Sequence, residues 1–180
     1  MKKSLTFIFA IAFLAITQNA LAQRGPAASP LATVKQVVGN TEVEIIYSRP
    51  SLAGRSANDL VNNLNNGVWR TGANTNTILA FNKDVTLGGQ ALKAGRYSLW
   101  SIPANGEWTI IINSLTDKWG TAYDKSGDVI KFKAPVTKTS NAVETFEINV
   151  TDFNNKTKDS ANIELAWGDF SVKFPLKVTN

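Results

Sequence analysis

Ile163-Glu164-Leu165-Ala166-Trp167-Gly168-Asp169-Phe170-Ser171-Val172-Lys173-Phe174-Pro175-Leu176 decides the fold class. Ile163, Leu165 and Trp167 fall on one side of an extended chain, and Phe170, Val172, Phe174 and Leu176 repeat the period after Gly168-Asp169. Their alternates include Glu, Ser and Lys, so one face is buried and the other is wet, as in an antiparallel sheet. Phe146, Ile148 and Val150 carry the same alternation just upstream. Moving toward the N-terminus, 107–113 and 96–102 read as strands around the turn Asn105-Gly106. Segments 85–87 and 90–92 flank Gly88-Gly89, and 77–82 leads into them. Strands at 32–38 and 41–48 are joined by Gly39-Asn40, a two-residue hairpin signal. Only 56–66 reads as helix, with Ser56 as N-cap and Leu60 and Leu64 about one turn apart. Many short alternating strands separated by turns predict an all-β, mainly antiparallel β-sandwich, with barrel-like closure left open.

The same rhythm does not extend to the start. Met1-Lys2-Lys3 is basic, Leu5 to Ile16 is an apolar run broken by Thr6, and Ala20-Leu21-Ala22 supplies small residues. Residues 1–22 therefore read as a secretory signal peptide cleaved after Ala22, too short in its apolar part to span a bilayer. Residues 23–30 are a loose leader, and 31–180 a single β domain. Cleavage removes Lys2 and Lys3, lowering the formal charge of +5 by two. No cysteine follows the cleavage site to carry a lipid, and no paired arginines precede the apolar run. The expected location is the periplasm or outside the cell, without an integral membrane span. The small basic excess forms no run or stripe, so nucleic acid is not an expected partner. Oligomeric state is not readable.

The sequence has no histidine and no cysteine. That excludes a thiolate nucleophile, a Ser-His-Asp triad, a Cys/His zinc site and any disulfide. No metal or cofactor is expected; Asp124-Lys125-Ser126-Gly127-Asp128 lacks the ligand spacing of a calcium loop and reads as a hairpin turn. Of the 19 basic residues only five are arginines, and apart from Arg24 they stand in turn-rich stretches: Tyr47-Ser48-Arg49-Pro50, Gly54-Arg55, Trp69-Arg70-Thr71-Gly72-Ala73-Asn74 and Ala94-Gly95-Arg96-Tyr97. A planar guanidinium suits bidentate binding of carboxylate or phosphate. The candidate ligand-binding residues are Arg49, Arg55, Trp69, Arg70, Thr71, Asn74 and Arg96, for a glycan or a small anion such as a carboxylate. Trp108 and Trp167 alternate in phase with aliphatic residues and are expected in the core, whereas Trp69 and Trp119 are the candidates for exposed rings.

Tyr47 to Arg55, Val68 to Asn74, Lys93 to Leu99, Glu107-Trp108 onward to Asn113, Trp119-Gly120 and Leu165-Ala166-Trp167 together resemble the exported bacterial family catalogued as domain of unknown function 2911. The resemblance runs from about Ser29 to Val178 and implies export from Gram-negative bacteria, while assigning no activity. The family often has Arg after its Asp-Val pair; here Asp128-Val129-Ile130 is followed by Lys131.

Two alternatives stand beside ligand binding. The plainer reading of the arginines is that they pair with Asp124, Asp128 or Glu residues and brace the loops of an envelope-associated domain. A hydrolase would use Asp124 or Asp128 with Tyr47 or Tyr97. The motif stretches are rich in donors and poor in acids, which suits binding better than proton transfer.

Overall fold

In a computed structural model, which describes residues 26–64 and 66–179, the alternating segments form nine strands and one short helix. The signal peptide read at 1–22 lies outside the described residues. The strands are β1 (Leu31–Val38), β2 (Thr41–Ser48), β3 (Ala73–Phe81), β4 (Val85–Leu87), β5 (Gln90–Leu92), β6 (Gly95–Ile102), β7 (Glu107–Asn113), β8 (Asp128–Thr151) and β9 (Ser160–Val178). All pairs are antiparallel, in the order β1-β2-β3-β6-β7-β8-β9-β4-β5, so β1 and β5 are the two edges and the sheet does not close into a barrel. The helix α1 (Ala57–Asn62) is shorter than the 56–66 expected, and Ser56 caps it by accepting from the Asp59 N–H.

β8 is the element that makes two layers from one sheet. Its first part, Asp128 to Pro135, pairs with β7, and from Val136 to Thr151 it pairs with β9. Register shifts between Lys138 and Glu147 mark where the ladder is irregular, a device that bends a strand. The layers then face each other across aromatic side chains. Tyr47 of β2 meets Phe146 of β8 edge-on at 5.8 Å, Trp108 of β7 meets Phe170 of β9 at 4.9 Å, and Trp69 stacks on Trp167 at 5.7 Å. Phe146, Ile148, Ile163, Leu165 and Val172 are fully buried between them. Each such side chain contributes roughly 1.5–3 kcal/mol by leaving water.

The alternation that predicts two late strands is carried by the single strand β9. Gly168 absorbs the interruption with φ +58, and a Cβ there would come within 2.7 Å of the Cβ of Ala57 on α1. The β1-β2-β3-β6-β7-β8 layer also has an outer face, turned away from the second layer. Register places Ile46, Ile78, Ser98 and Asn113 along one row of it. Trp100, Ile111 and Lys131 form the next row.

Candidate functional site

The arginines of the turn motifs occupy separate environments. Arg49 donates from Nε to the Phe146 carbonyl at 3.0 Å and from Nη2 to Glu147 Oε1 at 2.8 Å, tying β2 to β8 across the layers. Arg55 donates to the carbonyls of Leu52 and Ser51 and so closes its own turn. Arg96 stands 3.7 Å from Glu44 Oε2 beside an open hollow of about 780 Å³ lined by residues of β1, β2, β3 and β6. Arg70 differs from all three. Its Nε is shielded from solvent, and no hydrogen bond or ion pair holds its guanidinium among the described residues. Burial pushes its pKa down from the usual arginine value, as expected for a cation without a counter-charge.

Strand geometry explains where each motif residue points. Trp69 and Ser101 exchange backbone hydrogen bonds at 2.7 and 2.9 Å, so 69–71 continues the ladder along β6. Trp69 and Thr71 then face inward and Arg70 outward. Trp69 is not the exposed ring expected of it: it is 5% exposed, donates its indole N–H to the Gly72 carbonyl and packs on Trp108, Phe146 and Trp167. Its neighbours Arg and Gly suggest a surface turn, but the inward side of the ladder prevails. Thr71, fully buried with φ 53, shares a 2.9 Å hydrogen bond with Ser101 Oγ, a contact that fixes the backbone from inside. Asn74 has φ 59, and its side chain donates to the Ser29 carbonyl at 3.2 Å.

Beside Arg70 on the outer face lies Trp100, and Asn76 stands at the same level on β3, one step before the Thr77–Leu99 pair. Asn76 is 4% exposed, yet neither Nδ2 nor Oδ1 of its carboxamide has a partner. Nothing in the residue types marks it out; the signal available was a polar side chain in phase with Ile78 inside an otherwise apolar strand.

The connection 114–127 covers this region. Trp119 forms an isolated bridge with Thr75, and Gly120 is pressed against the motif: a Cβ there would lie 2.2 Å from Arg70 Cδ and 2.3 Å from the Asn74 carbonyl oxygen. Trp119 itself is 61% exposed, as its sequence setting suggests. At the far end Tyr123 packs on Trp100 at 5.2 Å and donates to Asp128 Oδ2 at 2.7 Å; burial, then that hydrogen bond, raises its pKa far above the usual phenol range. Asn113 donates to Asp128 Oδ1 at 2.9 Å and to the Asp124 carbonyl at 2.8 Å. Lys131 reaches Asp128 at 3.1 Å. The 124–128 stretch is a 3-10 turn at the end of a longer connection rather than a tight hairpin turn.

The Trp-Arg-Thr-Gly-Ala-Asn and Trp-Gly motifs, distant in sequence, thus meet in space through Thr75–Trp119 and Arg70–Gly120. The family described as "Protein of unknown function (DUF2911)" matches residues 29–176. The chain belongs to this family. Comparison with curated proteins and with solved structures finds no significant match. In this DUF2911 domain the matched span takes in Arg70, Asn76 and Trp119 together with both layers of the sheet.

The residues suited to hydrolysis are engaged otherwise. The Tyr47 hydroxyl accepts from the Ile148 N–H at 2.9 Å inside the core, and burial raises its pKa. Tyr97 donates to the Lys93 carbonyl. Asp124 caps the 3-10 turn, and its hydrogen bonds from Ser126 hold its carboxyl below the ordinary range, the opposite of what a general acid requires. Among the described residues no three acidic side chains gather as a metal site would need.

Proposed function

We propose that this chain is an exported binding domain that holds a polar or anionic ligand, a glycan or a carboxylate, against the outer face of its first layer, with Arg70 as the anchor. The observation that carries this reading is the guanidinium of Arg70, partly withdrawn from water with a shielded Nε that no acceptor satisfies. Removing a charge from water without a partner costs stability, and a carboxylate or polarised oxygen from outside would offset that cost. Arg49 and Arg55 already have acceptors, so the binding role narrows to Arg70, with Asn74 and Trp119 at its rim. Export rests on the basic start, the apolar run and Ala20-Leu21-Ala22; no helix among the described residues is long and apolar enough to cross a membrane.

The test is calorimetric titration of the protein with a panel of organic anions and glycans. Arg70→Ala should weaken the bound ligand by at least roughly tenfold, while Arg49→Ala should leave its affinity unchanged. If Arg70→Ala binds every ligand of the panel as the unaltered protein does, the reading is wrong.

A further inference from the structure

We infer that the free edge of β1 is a self-association surface: a second copy of this chain lays its own β1 against it, antiparallel about a twofold axis at Val34, and joins the two first layers into one sheet.

Native proteins blunt their edge strands with shortness, bulges, Pro or a covering segment. β5, at one end of the strand order, is three residues long. β1, at the other end, runs for eight residues without Pro and pairs with β2 from Leu31–Ser48 to Val38–Thr41 with no shift of register. Among the described residues no strand lies on its other side. Leu31 and Val37 are 66% and 55% exposed, although both are large and apolar. The one charge on the strand, Lys35, is drawn back onto Glu44 Oε1 of β2 at 3.0 Å rather than across the edge.

The hydrogen bonds of β2 settle which backbone groups of β1 are free. Pro30, one residue before β1, accepts from the Arg49 N–H at 2.9 Å, so the pairs of this ladder that exchange hydrogen bonds are those at even positions of β1. Glu42, opposite Val37, gives its N–H to Asn82 Oδ1 and accepts from the Asn82 N–H, so its backbone faces away from β1. The N–H and C=O groups of Leu31, Thr33, Lys35 and Val37 therefore point to the open edge. The Val37 carbonyl accepts there from Gln36 Nε2 at 3.1 Å.

This pattern selects the partner strand. A twofold axis perpendicular to the sheet keeps outer faces together, so odd positions meet odd positions. Centred on Lys35, the pairing sets two like charges directly opposite, which is destabilising. Centred on Thr33, it sets Leu31 against Lys35 and carries Val37 past the start of the other strand. Centred on Val34, it sets Leu31 against Val37 and Thr33 against Lys35, each pair formed twice and each exchanging backbone hydrogen bonds. The two exposed apolar side chains then cover one another. The sequence of β1 is thus complementary to itself in one register.

Sedimentation velocity of the protein over a range of concentrations should show a monomer–dimer equilibrium. Thr33→Lys, on an exposed position, sets Lys against Lys35 of the second copy and should weaken dimerisation by at least roughly tenfold. Thr33→Glu sets opposite charges there and should tighten it several-fold. Because the chain has no cysteine, Val34→Cys should cross-link to itself under mild oxidation, the two Cα atoms facing each other at about 4.5 Å across the axis, and Ala32→Cys should not. A protein that stays monomeric at every concentration overturns the inference and leaves the edge to an extended segment of a different protein. A dimer indifferent to both Thr33 variants, or one that Val34→Cys does not cross-link, overturns it too, because the copies then meet elsewhere. Should a variant fail to fold, amide exchange of the unaltered protein decides: the N–H groups of Leu31, Thr33, Lys35 and Val37 should gain protection as concentration rises, and exchange that stays unchanged there overturns the pairing.

Discussion

Arg49 and Arg70 come from similar stretches of sequence, each beside an aromatic or a Pro or Gly in a turn-rich motif, and the fold treats them in opposite ways. Arg49 lies between the two layers at the end of β2, where the bent strand β8 presents a carbonyl and the Glu147 carboxylate. It is a brace. Arg70 lies one residue beyond an inward-facing tryptophan, on a face over which the 114–127 connection passes, and that connection brings a glycine to it rather than an acid. The difference teaches that an arginine in a turn motif is read by what the opposing strand supplies, and only its unpaired guanidinium retains capacity for something from outside.

The comparison breaks most readily at Gly120. Gly120→Ala would force a methyl into the Asn74 carbonyl and the Arg70 stem, and overpacking of this kind costs about 1–3 kcal/mol. Urea unfolding should show that loss, and ligand affinity should fall with it because Arg70 must move. Next in size is Arg49→Ala, which removes a hydrogen bond to a backbone carbonyl and a half-exposed ion pair, and should lower stability by about 1–2 kcal/mol. Arg70→Met should lower it by less than about 0.5 kcal/mol or raise it, since the buried stem is kept and the unpaired Nε is gone. Equal losses from Arg49→Ala and Arg70→Met would mean that both arginines are braces and the contrast is empty.

The smallest effect concerns pH. What links stability to pH is a set of turn aspartates held below the usual range: Asp84 chiefly by Lys93, Asp124 by Ser126 and Asp152 by Asn162. A carboxyl whose folded pKa is depressed stabilises the fold above its unfolded value and loses that contribution as pH falls through the folded one. The urea midpoint should therefore stay level from pH 7 to about 5 and decline below about pH 4. A decline beginning near neutrality would point to a different titrating group.

Much of the fold was legible because side-chain period and burial coincide in β2, β6, β7 and β9. The full length of β8 was not. Between Thr137 and Thr145 its residues are mostly polar and its pairing irregular, so no alternation announces a strand there. The candidate site was legible in part. Composition drew attention to Arg70 and Asn74, and an exposed Trp119 followed from its neighbours. Trp69 was placed on the surface because its flanking residues are those of a turn, whereas its orientation depends on pairing with Ser101, a partner no local pattern names. Asn76 escaped for the same reason: an asparagine in a strand is ordinary until its two polar atoms are found without partners.

Because β8 belongs to both layers, neither layer can be completed before the other has begun. The hairpin of β8 with β9 must find its register over bulges, while β7 claims the start of the same strand. A chain assembled through such distant pairings folds slowly and passes through states with open strand edges. That interval leaves the edge of an unfinished strand open to pairing with another chain and to proteolysis.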